Sequence, residues 1–237
     1  MDLGDRIKFY ECSDRFIPTL PVIARIDGRN FHSYTKNAEK PFDGKLQNLF
    51  NETVKALMAG SGAKLGYTQS DEISLCFIGD WFSRIYFDGK VQKLVSCLAS
   101  EATFYFNNIA DKPAMFDCRC FQVPSLVEAT NYFIWREQDA VRNSIQMAAR
   151  SVFSHKECDN KNCSQLQDML ISKGINWNDY SSRSKRGSYF KRVKKQWEVP
   201  IEFRKGEQFV ERSFIEEIDL PILTTIENRV GVLFGHL

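Results

Sequence analysis

The sequence predicts an α+β protein, with strands and helices in the order β-α-β-β-α-β followed by a helical and basic C-terminal extension. Three observations carry this reading. Short apolar runs bounded by Pro and Gly alternate with longer segments whose apolar residues recur every three or four positions. Two of the strand runs are separated only by Ser70-Asp71-Glu72, which leaves room for a hairpin and nothing longer. Charge is unevenly spread, with seven Lys and Arg and no acid in residues 183–195. At 237 residues, 43% of them apolar, the chain has material for a large core.

Residues up to Pro18 read as an amphipathic lead-in, with Ile7, Phe9, Tyr10 and Phe16 available for packing. Residues 21–31, PVIARIDGRNF, open the core. Val22, Ile23, Ala24 and Ile26 form a short strand, Asp27 stands at its end, and Gly28 permits a turn that other residues resist. Arg29 and Asn30 then bring donors suited to phosphate. After a polar connection, Leu46, Leu49, Phe50, Val54, Leu57 and Met58 recur at helical spacing until Gly60 and Gly62. KLGYTQ and ISLCFI form the hairpin. Ile73, Leu75 and Phe77 alternate with Ser74 and Cys76, as in a half-buried strand. Val91, Leu94, Val95, Leu98, Ala102 and Tyr105 mark a second helix, and after Pro113 MFDCRCFQV reads as the fourth strand. Ser125 and Glu128 suggest a capping box for a helix through TNYFIW, and a longer helix covers 136–153.

This order is the ferredoxin-like one, in which the first and third strands are central and both helices lie on one face. The end of the first strand then lies beside the hairpin, so Asp27 meets Asp71 and Glu72 across more than forty residues of chain. Clustered carboxylates repel unless a cation sits between them, and hard oxygen ligands suit Mg²⁺ or Mn²⁺. Two such ions about 3.5–4 Å apart serve phosphoryl transfer. An Asp before Gly is ordinarily a turn residue, and an SDE turn is ordinarily solvated. The shared meeting point lifts these acids above that plain reading.

RIDGRNFH (25–32), KPFD (40–43) and YTQSDEISLCF (67–77) closely resemble the tRNA-His guanylyltransferase superfamily, above all its bacterial and archaeal guanylyltransferase-like proteins. The likeness continues through KLVSCLAS (93–100), FDCRCFQVPS and WREQDAVRNS (135–144), with a trace at KRG (185–187). The resemblance implies a palm-like catalytic domain, taken here as residues 1–135, that adds nucleotides to RNA 5′ ends in the 3′-to-5′ direction. Residues 136–237 would then serve tRNA binding and oligomer contacts. It implies catalytic Asp27, Asp71 and Glu72, with Asp27, the Gly28 carbonyl and Asp71 as ligands of two Mg²⁺ ions. Gly28, Arg29, Asn30, Phe31 and His32 would hold a triphosphate, and Lys40, Asp43, Ser70, Lys93 and Asn143 would line the sites for GTP and ATP. The partners implied are tRNA and nucleoside triphosphates, in a homotetramer. Where eukaryotic members have HINN, this chain has Val141-Arg142-Asn143-Ser144. That departure points to templated repair of truncated tRNA 5′ ends. Dedicated guanosine addition to tRNA-His, or an inactive tRNA-binding protein of the same fold, are the alternatives.

In the basic segment, Lys185, Arg186, Lys191 and Arg192 are placed to track an RNA backbone, with Tyr189 and Phe190 to stack on bases. Arg142 would join them from the cleft side. The plain alternative is a strand or hairpin with one apolar side. His155, Cys158 and Cys163 are too few and too irregular for zinc, so a polar loop is expected there. Irregular cysteine spacing, a charged N-terminus and no apolar run long enough for a membrane predict a cytoplasmic protein with reduced thiols and no membrane contact. After Pro200 acidic and apolar residues alternate, to pack on the body or on a neighbouring subunit.

Overall fold

The computed structural model describes residues 1–200, 202 and 208–235. Its frame is a six-stranded sheet in the order β4-β1-β3-β2-β5-β6. The strands are β1 (Val22–Gly28), β2 (Leu65–Gln69), β3 (Glu72–Phe77), β4 (Phe116–Gln122), β5 (Ser188–Glu198) and β6 (Phe209–Ile218). Every pairing is antiparallel. The helices are α1 (Leu3–Lys8), α2 (Phe31–Tyr34), α3 (Gly44–Ser61), α4 (Val91–Ile109), α5 (Leu126–Arg150), α6 (His155–Cys158), α7 (Cys163–Ser172), α8 (Ser182–Arg186) and α9 (Arg229–Phe234). β1 to β4 with α3 and α4 reproduce the expected β-α-β-β-α-β core. β5 and β6 extend the sheet beyond β2.

One face of the sheet carries Val22, Ala24, Ile26, Ile73, Leu75 and Phe77, packed on Phe50, Val54 and Leu57 of α3 and on Leu94, Leu98 and Phe106 of α4. Asp43 caps α3 by accepting the Leu46 N–H at 3.0 Å, which holds its carboxyl below the usual range. Gly62 ends that helix at φ 76°.

The other face is also covered. Ile23, Leu65, Tyr67 and Cys76 pack on Ala129, Tyr132 and Phe133 of α5, with Leu223, Leu233 and Phe234 closing over them. β3 is therefore buried on both faces, not half-buried as its alternation suggested, and Ser74 satisfies its hydroxyl 2.7 Å from Tyr132 Oη. α5 runs unbroken through residues 135 and 136, where two helices were expected. Ser125 caps it through the Glu128 N–H, but the Glu128 carboxylate accepts from Asn131 instead of closing a capping box. Its C-terminal half packs Ile145, Ala148 and Ala149 on Cys158, Leu166 and Leu170.

β6 and α9 of the C-terminal segment pack on the body of the same chain. The lead-in behaves otherwise than expected. α1 buries nothing, and Ile7, Phe9 and Tyr10 stand exposed while Phe16 alone of the four reaches the core. No helix among the described residues is long and apolar enough to cross a membrane.

Glu137 on α5 ties the C-terminal segment down. Its buried carboxylate accepts from Leu223 N at 2.9 Å and from Tyr189 Oη at 3.5 Å. Burial pushes this carboxyl up from its ordinary value. The folded state then holds the proton more tightly than the unfolded chain. That contribution is complete below about pH 4.3, the unfolded glutamate value, and is lost as pH rises through the raised one. Glu137→Gln keeps an acceptor and cannot ionise. Urea unfolding from pH 4 to 7.5 should show the variant gaining on the wild type as pH rises; a constant difference across the range would refute the assignment.

Candidate functional site

The site grows from the end of β1. Asp27 stands opposite Glu72 of β3 on one side and Asp117 of β4 on the other. Gly28 donates its N–H to Asp71 O at 3.0 Å, pinning the hairpin against the strand end. The expected meeting of Asp27, Asp71 and Glu72 is thus realised. Gln69 pairs with Glu72, leaving Ser70 and Asp71 as the turn, with Ser70 at φ 55° and its hydroxyl donating to Asp71 at 3.1 Å. Burial, reinforced by the charge of Asp27, pushes the Asp71 carboxyl above the ordinary range.

Glu72 is differently employed. Arg136 Nε lies 2.7 Å from its Oε1 as an ion pair, out of line for a hydrogen bond, and Arg136 Nη2 reaches Asp139 at 3.1 Å. The guanidinium lies 4.4 Å from the centre of the Trp135 ring. Burial raises the Glu72 carboxyl, and Arg136 and then Arg25 oppose that. Arg136 went unnoticed in the sequence although a signal was there. It continues the buried line Ala129, Phe133, Arg136, Ala140, and an arginine at a core-facing helical position needs a partner.

The turn after β1 works for another reason than expected. Gly28 lies in the strand and has no positive φ; the left-handed residue is Asn30, at φ 54°. A Cβ on Gly28 would sit 2.2 Å from the Phe31 ring. That ring is buried against Tyr34, Phe50, Phe106 and Phe116, so the Phe31 side chain belongs to the core, not to a triphosphate site. Arg29, Asn30 and His32 remain exposed. Gly28→Ala should cost about 3 kcal/mol, the upper end for overpacking a core, read as a lower urea midpoint. An unchanged midpoint would show that the ring yields freely.

Two adjoining clefts flank the hairpin. One, of about 250 Å³, is lined by Lys40, Asp43, Gln47, Ser70, Arg150 and neighbours. The other, of about 270 Å³, is lined by Asp27, Ser70, Asp71, Glu72, Arg136 and Asn143 among others. Gln69, Ser70, Met147 and Arg150 border both, and Arg150 is a residue the sequence did not single out. Lys93 joins neither cleft. It sits on the first turn of α4, reached from the end of β3 remote from the hairpin, with its ammonium 5.5 Å from the Phe87 ring centre.

The basic segment is built into the fold. Lys185 donates to Asn178 O at 2.6 Å, Arg186 to Leu220 O at 3.1 Å and Lys191 to Val232 O at 3.0 Å; Arg192 reaches Met58 O and Ser213. Tyr189 and Phe190, expected to stack on bases, are buried. The stretch divides between α8 and β5, and the strand is packed on both faces where it begins, Tyr189 among the α5 residues and Phe190 among those of α3. Arg142 pairs with Asp139 at 2.6 Å and remains exposed.

Comparison with known proteins matches residues 4–124 to the family described as tRNAHis guanylyltransferase. The chain is 29% identical over 215 residues to the tRNA(His) guanylyltransferase of Schizosaccharomyces pombe, spanning 81% of each protein. It is also 29% identical over 224 residues to uncharacterized protein R259 of Acanthamoeba polyphaga mimivirus, spanning 80% of this chain and 77% of that one. Among solved structures, a bacterial tRNA(His) guanylyltransferase (Thg1)-like protein in complex with ATP matches at TM-score 0.83 and 36% identity, over 99% of this chain and 100% of the other. A bacterial protein of the same description in complex with GTP matches at TM-score 0.76 and 38% identity, over 96% and 98%.

Proposed function

The chain belongs to the tRNA(His) guanylyltransferase family of nucleotidyltransferases, and from that premise we propose that it extends tRNA 5′ ends in the 3′-to-5′ direction, as template-dependent repair of truncated ends. The observation that carries this reading is the convergence of Asp27 and Asp71 at one end of the sheet, between clefts that also hold Lys40, Asp43 and Asn143.

The donor set suits Mg²⁺. Asp71 is pushed up by burial and by Asp27, and a cation between the two carboxylates would relieve both effects. Among the described residues no three His, Cys, Asp or Glu side chains form a metal cage. Mg²⁺ rarely uses one; it takes one or two carboxylates and completes its shell with water and substrate phosphates. Asp27, Asp71 and the Gly28 carbonyl are the residues that would hold two ions, with Glu72 kept aside by Arg136. When bound, the ions would stabilise charge at the α-phosphate and acidify the attacking hydroxyl.

The remaining roles fall to the chain itself. Lys40, Asp43 and Ser70 line the cleft where a nucleoside triphosphate would lie, in keeping with the ATP and GTP bound to the related structures. A 5′-monophosphate is a poor electrophile, so ATP or GTP would first activate it; a 5′-triphosphate needs no such step. The 3′-hydroxyl of the incoming nucleotide would then attack the 5′ α-phosphate of the RNA, breaking its anhydride bond and releasing the activating nucleoside monophosphate, or pyrophosphate where the end carries a triphosphate. Asn143, in the RNS sequence that replaces HINN, borders the Asp27 cleft.

The test supplies Mg²⁺, all four nucleoside triphosphates and tRNA lacking its first nucleotide, with the opposing 3′-strand base varied. Addition that follows the opposing base supports repair. Guanosine added whatever the opposing base supports dedicated tRNA-His modification, and the absence of any 5′ product supports the inactive binder.

A further inference from the structure

Arg25 of β1 stands directly opposite Arg119 of β4. Both lie two residues from an acid of the site, Asp27 on one strand and Asp117 on the other, and share their face of the sheet. Like charges directly opposite each other on paired strands are destabilising. Here the neighbours only partly offset them. Arg119 Nη2 is 3.6 Å from Asp117 and 3.9 Å from Asp27, both beyond hydrogen-bond reach, and the side chain is 57% exposed. The Arg25 side chain makes no hydrogen bond among the described residues; its charge acts on Glu72, and its guanidinium lies 5.9 Å from the Trp135 ring centre. Guanidinium donors are therefore open beside Asp27. By contrast, Lys185, Arg186, Lys191 and Arg192 are committed to carbonyls within the fold.

We propose that Arg119, with Arg25 across the strands, binds the 5′-terminal phosphate of the RNA. This rests on the activity proposed above. Two guanidinium groups match a phosphate monoester in charge and in donor geometry. The nucleotide's triphosphate is the other phosphate at hand, but neither arginine lines the cleft of Lys40 and Asp43 or the one around Asp71. The RNA end is the group that must still reach Asp27, and the open side of that carboxylate is where Arg119 stands.

The experiment measures equilibrium binding of a tRNA lacking its first nucleotide, carrying either a 5′-monophosphate or a 5′-hydroxyl, to wild type, Arg119→Gln and Arg119→Lys. Nucleoside triphosphate affinity and urea midpoint are recorded alongside. Wild type should prefer the phosphorylated end roughly tenfold, as expected for a charge-assisted contact. Arg119→Gln should bring the ratio close to one, Arg119→Lys should fall between, and nucleotide affinity and midpoint should hold. A ratio kept in Arg119→Gln, no preference in wild type, or a loss confined to nucleotide affinity would each overturn the proposal. If Arg119→Gln fails to fold, the ratio in Arg119→Lys decides, an undiminished preference again overturning it. Because the ratio is read without turnover, the two conclusions fail separately. A wild type that prefers phosphate through Arg119 yet adds no nucleotide sinks only the activity. Active enzyme with an unchanged ratio in Arg119→Gln sinks only this site.

Discussion

Replacing Asp27 with Ala is expected to lower nucleotide transfer by at least about 10²-fold, the scale for losing one preorganised charge-stabilising group. tRNA binding should hold or tighten. The reason is the crowding of acids at the strand end. Asp27 faces Glu72 and Asp117 in register and adds to the upward push on Asp71. Removing it relieves repulsion in the folded protein and toward a polyanionic substrate. The variant should thus be as stable as wild type, or slightly more so, while losing its chemistry, as expected where function is held against stability. Single-turnover rates with pre-bound tRNA, together with urea midpoints without Mg²⁺, separate the two effects. Near-normal transfer by Asp27→Ala would remove the metal role assigned to it.

Arg136→Met should be the most destabilising side-chain change outside the apolar core, by about 3 kcal/mol, because it strands a buried carboxylate. The pair is well shielded, with side chains 9% and 17% exposed. Glu72 already titrates above its ordinary value through burial with Arg136 opposing; without Arg136 it rises further. The deficit should therefore be largest near neutral pH and shrink toward the ordinary carboxylate range, where the proton returns. Adding Glu72→Gln to Arg136→Met should restore most of the loss, since the penalty lies in the unpaired charge and not in the missing arginine. If the double variant is no more stable than Arg136→Met, the arginine serves chiefly through its packing on Trp135.

These two residues mark what was readable at each level. Asp27 was legible because a short apolar strand ending in a carboxylate and glycine is a local pattern, and the β-α-β-β-α-β order alone sets which strand ends are neighbours. Arg136 was visible as a position on the buried side of a helix, but its partner Glu72 lies more than sixty residues earlier and only the packed structure pairs them. In the basic stretch from Arg183 the charge run reports local composition and says nothing of which carbonyls await it. Leu220, Val232 and Met58 are brought there by the sheet and by α3 and α9.

By itself, then, the sequence determined the core order of strands and helices, the hairpin, and the meeting of Asp27 with Asp71. Those follow from periodicity and turn chemistry within short windows. Only the tertiary structure decided that β3 is covered on both faces, that Gly28 makes room for Phe31, that Glu72 is held by Arg136 and that Arg119 is left open. Each of those depends on where a distant segment comes to rest, and no local pattern encodes that.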